Sequence, residues 1–193
     1  MNAPSSGSSP DPQRLFVAVP LPVALKKVIG GWSNALRDTR SFRKWTHEAD
    51  LHITLQFLGD TEPKQLPKLQ EALSSVTQSG ALQPFRLTLQ DVGAFGLSKQ
   101  PRVLWIGLGG ELDSLRQLHQ ATVHATAPLG FSAETRPYSP HLTIARSYIG
   151  SEEFVAPQLD FNSSLEWDVD AICLYRTHMR QRPMYEEVAR FSL

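Results

Sequence analysis

Two short stretches of the sequence put the same residue types at the same spacing: His52-Ile53-Thr54-Leu55 and His141-Leu142-Thr143-Ile144. Each reads His, aliphatic, Thr, aliphatic. Side chains alternate between the faces of a β-strand, so a His and a Thr two positions apart point the same way, and the aliphatic pair points the other. An imidazole titrates near neutral pH and can give or take a proton. Two of them on opposite sides of a reacting centre make a general acid and a general base. Two hydroxyls can donate hydrogen bonds to oxygens on which charge builds up. That set suits in-line attack at phosphorus. One His takes a proton from water, the other protonates the departing oxygen, and no metal or other cofactor is required.

A chain of this composition should hold about 0.06 matches to this pattern by chance. It holds a third besides these two, His124-Ala125-Thr126-Ala127, in a stretch of helical spacing. On a helix, positions two apart do not share a face, so His124 and Thr126 are set aside. A single match would be an ordinary half-buried strand face. Two on separate strands predict two His–Thr pairs that converge on one cleft. Rival chemistries lack their residues: there is no His-Glu-x-x-His or clustered ligand spacing for a metal, no serine elbow, and no phosphate loop of the Walker type. Cys173, the one cysteine, lies in the apolar run 171–175 and reads as a small buried core residue rather than a nucleophile.

The elements that must position the two pairs follow from apolar spacing. Residues 15–19 read as a buried strand closed by Pro20 and Pro22, and 23–38 as a helix weakened by Gly30 and Gly31. A short strand is expected at 42–46 and a strand at 52–58. The helix at 62–76 contains Pro67, which argues for a later start. Strands follow at 84–95 and 102–108, and an amphipathic helix at 111–128 has Leu112, Leu115, Leu118 and Val123 on one stripe. A strand at 141–149 and a final pair at 167–178 and 184–193 complete the order. The alternation leaves open whether the sheet is parallel. His52 and His141 lie about half the folded length apart, which hints at two related lobes, each supplying one motif.

The chain has 193 residues, 41% of them apolar and 20% charged, with a formal net charge of +0. These values fit a soluble globular protein with a sizeable core and exclude a polycation drawn to nucleic acid by its bulk field. Residues 1–13 are rich in Ser, Pro and Gly and read as a disordered tail rather than a signal peptide. No apolar run reaches the length of a membrane span. The expectation is a monomeric cytoplasmic protein whose folded part is one bilobal domain over residues 14–193.

The stretches WTHEADLHITLQFLGD, FGLSKQPRVLWIGL, RPYSPHLTIAR and YEEVARFSL together resemble the RNA 2′,3′-cyclic phosphodiesterases of the 2H phosphoesterase superfamily, enzymes once called 2′-5′ RNA ligases. The likeness covers residues 14–193. It implies an α+β fold of two pseudo-symmetric lobes, each an antiparallel sheet with outer helices, with the active-site cleft between them. It also implies hydrolysis of RNA ends or nucleotides bearing a 2′,3′-cyclic phosphate to 2′-phosphates. His52 would then be the proton donor to the leaving ribose oxygen and His141 the proton acceptor from water. Thr54 and Thr143 would hold the phosphate, and Arg146 would neutralise its charge.

Arg146 poses a geometric difficulty. It lies five positions after His141, and in an ideal strand an odd offset puts it on the opposite face. Either the strand bends or bulges after Thr143, or Arg146 reaches around its end; the competing reading is an ordinary surface residue at a strand end. Arg176, His178, Arg180 and Arg182 share parity and read equally as a rim gripping RNA phosphates or as a solvated, protected edge. Trp45, Phe57 and Trp105 could stack a base, although core packing is the preferred reading for each. Two rival functions stand beside hydrolysis: an enzyme that cleaves or joins 2′-5′ phosphodiester links, and a non-catalytic RNA- or nucleotide-binding module.

Overall fold

The computed structural model describes residues 11–159 and 165–193. The elements run β1 (Gln13–Pro20), α1 (Val23–Arg37), β2 (Phe42–Trp45), β3 (His52–Thr61), α2 (Leu66–Gln78), β4 (Phe85–Gly96), β5 (Pro101–Gly110), α3 (Leu112–Thr126), β6 (Leu142–Tyr148), β7 (Glu166–Val169), β8 (Ala171–Thr177) and β9 (Tyr185–Ser192). The question of direction is settled: the pairings are antiparallel. The strand order is β7-β4-β5-β6-β3-β1-β8-β9, with β2 added to β6.

Two half-sheets meet at the centre of that order, β9-β8-β1-β3 and β6-β5-β4-β7. Among the described residues β3 and β6 are joined by one residue pair, Ile53 with Leu142, and then diverge. β2 pairs with β6 beyond that point, through Ala145, Arg146 and Tyr148. Four strands therefore run outward on each side of the Ile53–Leu142 pair, and among the described residues β2 is an addition to the β6 side that β3 lacks.

The sheet has one face covered by helices. Leu15, Val17 and Val19 of β1 and Ile172 and Leu174 of β8 share one buried core with residues of α1, α2 and α3. The alternate residues Phe16, Ala18, Cys173 and Tyr175 form a separate small layer on the other face. Burying an aliphatic side chain in such a core contributes about 1.5–3 kcal/mol, so the period-2 pattern of each strand fixes which face looks outward.

Some boundaries differ from expectation. The strand expected over 167–178 is two strands that leave Asp170 toward opposite half-sheets: β7 pairs with β4, and β8 with β1. α2 starts at Leu66 with Pro67 in its first turn, after a 3-10 turn over Pro63–Gln65, where a missing N–H costs nothing. The buried stripe of α3 is Leu115, Leu118, Thr122 and Thr126 rather than one through Leu112 and Val123. The Thr122 hydroxyl donates to the Leu118 carbonyl and the Thr126 hydroxyl to Gln56 Oε1, each at 2.8 Å. The expected tail lies outside the described residues for positions 1–10, and Gln13 already belongs to β1. Gly30 is needed in α1 because a Cβ there would collide with the Glu48 side chain of the 3-10 turn Glu48–Asp50, the turn that leads into His52.

Candidate active site

The Ile53–Leu142 pair brings the two motifs together. Its antiparallel register, extended by one residue each way, sets His52 opposite Thr143 and Thr54 opposite His141. Ile53 and Leu142 are fully buried on the helix side, so the four polar side chains project from the open face. The third match behaves as the helical geometry requires: His124 is exposed, and Thr126 is buried against Gln56.

Both imidazoles are held in the same way. His52 Nδ1 lies 2.7 Å from the Asp50 carbonyl and His141 Nδ1 lies 2.8 Å from the Ser139 carbonyl. A carbonyl only accepts, so each Nδ1 carries the proton and donates it, and each Nε2 is left for chemistry. His52 Nε2 meets the Thr54 hydroxyl at 3.1 Å; with the ring neutral, the hydroxyl is the donor. Thr143 Oγ1 has no such partner among the described residues.

The surroundings of the rings set their protonation. Phe16, Tyr185 and Tyr175 lie 4.8, 5.1 and 6.1 Å from His52, ring centre to ring centre. Burial in this aromatic box pushes the His52 pKa down to about 4, against the opposing hydrogen bond to the Asp50 carbonyl. His141 packs edge-on against Phe95 at 4.9 Å. Its pKa is also lowered, first by burial and then by the Arg146 charge, with the Ser139 hydrogen bond opposing. Both rings are therefore neutral at neutral pH in the free protein.

A bulge resolves the position of Arg146. β5 pairs Trp105 with Thr143 but Leu104 with Ala145, so Ile144 is an extra residue on β6. Parity flips there. Ala145 turns to the core and Arg146, opposite Val103, returns to the face of His141 and Thr143. The Arg146 charge acts on His52, His141 and Tyr185 alike, as a residue between the lobes would. The same device occurs in β3: Ala18 pairs with Thr54 but Val17 with Gln56, leaving Leu55 extra. The residue that corresponds to Arg146 is Phe57, 55% exposed, opposite Phe16 on the open face. Core packing thus holds for Trp45 and fails for Phe57, while Trp105 lies half-buried beside Phe95.

The basic run after β8 divides. Arg176 sits on the helix side of β8, between Leu15 and Glu186, and is bound to the Gln13 amide and the Glu186 carboxylate. His178 is taken up by Glu186 at 2.7 Å. These two do not form a common rim with Arg180 and Arg182, which are exposed and make no ion pair among the described residues. Cys173 is fully buried with its thiol pushed up to about 12, chiefly by burial, as expected of an inert core residue. Among the described residues no group of three or more His, Cys, Asp or Glu could hold a metal ion. No helix there is long and apolar enough to cross a membrane.

Several supports were not anticipated. Asp50, 5% exposed, accepts the backbone N–H groups of Met184 and Tyr185 at 3.0 Å while its own carbonyl holds His52. It pins the β8–β9 hairpin, and with it Tyr185, against His52. The Tyr138 hydroxyl donates to the Thr54 carbonyl at 3.1 Å and ties the segment before His141 to β3. The signal available for Asp50 was its place two residues before a motif His, the place Ser139 holds before the other. Asp50→Ala should destabilise the fold by about 1–3 kcal/mol, because two part-buried backbone donors lose their acceptor. Asp50→Asn, which keeps one acceptor oxygen, should cost less. Urea denaturation of the three proteins checks the order, and equal midpoints would sink it.

A family model described as the 2′-5′ RNA ligase superfamily matches residues 22–181. An RNA 2′,3′-cyclic phosphodiesterase of Geobacillus stearothermophilus is 40% identical over 92% of this chain and 56% of its own length. The chain thus spans little more than half of that relative. Another of Bacillus subtilis is 32% identical over 92% of this chain and 95% of its own. The crystal structure of Escherichia coli LigT complexed with 3′-AMP superposes with a TM-score of 0.77 at 26% identity, covering 94% of this chain and 98% of that one.

Proposed function

Because the chain belongs to the 2′-5′ RNA ligase superfamily, we propose that it is a metal-independent phosphodiesterase that opens 2′,3′-cyclic phosphate ends of RNA, or cyclic nucleotides, to 2′-phosphates. The observation that carries this reading is the opposition of two His–Thr pairs about the Ile53–Leu142 bridge, each imidazole offering Nε2 to the open face.

His141 Nε2 takes a proton from water as the water oxygen bonds to phosphorus. The bond from phosphorus to O3′ breaks opposite the entering oxygen, and His52 Nε2 gives its proton to O3′. The products are a 2′-phosphate and a free 3′-hydroxyl. Thr54, Thr143 and Arg146 hold the non-bridging oxygens, where charge accumulates. His52 is neutral in the free protein, so it is charged on binding: an anion at its Nε2 favours the imidazolium. In-line displacement puts the ribose on the His52 side, where Phe57 offers an exposed ring for the base. Residues 14–193 act as one bilobal unit, as a cytoplasmic monomer.

The test is a short RNA ending in a 2′,3′-cyclic phosphate, incubated with the protein and EDTA, beside a 2′-5′ linked dinucleotide. Conversion of the first alone to a 2′-phosphate is the expected result. Preferred turnover of the 2′-5′ link would select the cleaving and joining reading. Binding without turnover would make the protein a nucleotide-binding module.

A further inference from the structure

β2 occupies the space that opens where β3 and β6 diverge, and its register on β6 sets Lys44 directly opposite Arg146. The flanking pair, Trp45 with Ala145, faces the core. Lys44 and Arg146 therefore share the open face with His52 and His141. Both are exposed, and neither has an ion pair or side-chain hydrogen bond among the described residues. Like charges directly opposite on neighbouring strands are destabilising. A pair so placed is relieved when an anion lies between the two cations.

We propose that Lys44 is a second phosphate-binding cation of this site, forming with Arg146 a seat for the charge that the phosphoryl group gains as water attacks. The inference rests on the hydrolytic reading above and adds a residue to it. A cyclic phosphodiester carries one negative charge, which Arg146 alone can match. Once His141 has removed the water proton, the pentavalent group carries a second charge, and the 2′-phosphate product keeps most of it at neutral pH. A cation matched to the second charge binds the transition state and the product better than the substrate, so it raises kcat rather than lowering KM. Arg43 is a built-in control: it is the adjacent residue, exposed and cationic, but it does not stand opposite Arg146 in the β2–β6 register.

The experiment compares wild type with Lys44→Met, Lys44→Arg and Arg43→Met. Kinetics on a cyclic-phosphate substrate are paired with titration of inorganic phosphate into the same proteins. Lys44→Met should lower kcat about 10-fold or more, as expected for loss of a charge-assisted hydrogen bond, with little change in KM. It should also weaken phosphate binding about 5-fold. Lys44→Arg should restore most of both, Arg43→Met should match wild type, and Lys44→Met should melt no lower than wild type because a like-charge contact is gone. Equal behaviour of Lys44→Met and Arg43→Met would overturn the proposal, as would a loss seen in KM alone. If phosphate binding depends on Lys44 while no cyclic phosphate is hydrolysed, the seat stands and the hydrolytic reading falls.

Discussion

His52→Ala and His141→Ala should each lower kcat/KM on an RNA 2′,3′-cyclic phosphate by about 10²–10⁴, the usual worth of a positioned acid or base, while His124→Ala stays near wild type. The two losses have different causes, and a modified substrate separates them. With sulfur in place of O3′, the leaving group departs as a thiolate and needs no proton. His52→Ala should then recover most of its lost rate and His141→Ala very little. Recovery of His141→Ala instead would exchange the two roles; recovery of neither would argue against an acid at the leaving atom.

The depressed His52 pKa adds a pH signature. The ring is neutral above about 4 in the free protein and becomes charged against a bound phosphate, so binding takes up a proton. By linkage, affinity must rise as pH falls from the bound pKa toward the free one. A cyclic phosphodiester stays a monoanion throughout this range, and the inactive His141→Ala protein allows binding to be measured without turnover. Its affinity for a cyclic nucleotide should strengthen between pH 8 and pH 5, and a further His52→Ala change should flatten the profile. A flat profile with His52 present would mean that the phosphate does not sit at its Nε2.

Period-2 reasoning placed His52 with Thr54 and His141 with Thr143 correctly, because aliphatic neighbours pinned to a core leave no choice of face. It stopped at the bulges. Leu55 and Ile144 are aliphatic like any strand residue, and only pairing to β1 and β5 shows that each is one residue too many. Arg146 and Phe57 were therefore ambiguous in sequence although both lie on the open face. The separation of β7 from β8 was hidden for a similar reason. Trp167, Val169, Ala171 and Cys173 keep one alternation in sequence through Asp170 with no Gly or Pro between them, but Trp167 and Val169 enter the helix-side core beside β4 while Cys173 lies on the other face beside β1. Lys44 and Asp50 depend on contacts with residues about 100 or more positions away, which local pattern does not encode. Sequence thus reported the placement of the motif side chains more fully than that of their supports.

Arg146→Ala should lower kcat/KM about 10²–10³-fold, the range for removing a donor aimed at developing charge. Arg146→Lys should fall between, since it keeps the charge but loses the planar fork that can hold two phosphate oxygens at once. Stability separates this role from the surface reading, and so does its sign. Arg146 is exposed, has no ion pair among the described residues, and faces Lys44 across the β2–β6 pair. Removing it should leave the urea midpoint unchanged or slightly raised, while activity collapses. A residue kept for folding would show the reverse. The bulge supplies a second test of the same claim. Deleting Ile144 would restore regular alternation and send Arg146 to the far face, but it would also shift the rest of β6. The milder probe is Ser147→Gly, at a backbone φ of 59° that Gly adopts more readily; this change should preserve activity because it relaxes the chain just beyond Arg146 without moving the guanidinium. Loss of less than fivefold in Arg146→Ala would show that the guanidinium presented beyond the bulge does not serve the phosphate; a large loss in Ser147→Gly would show that the backbone at Ser147 helps to place it.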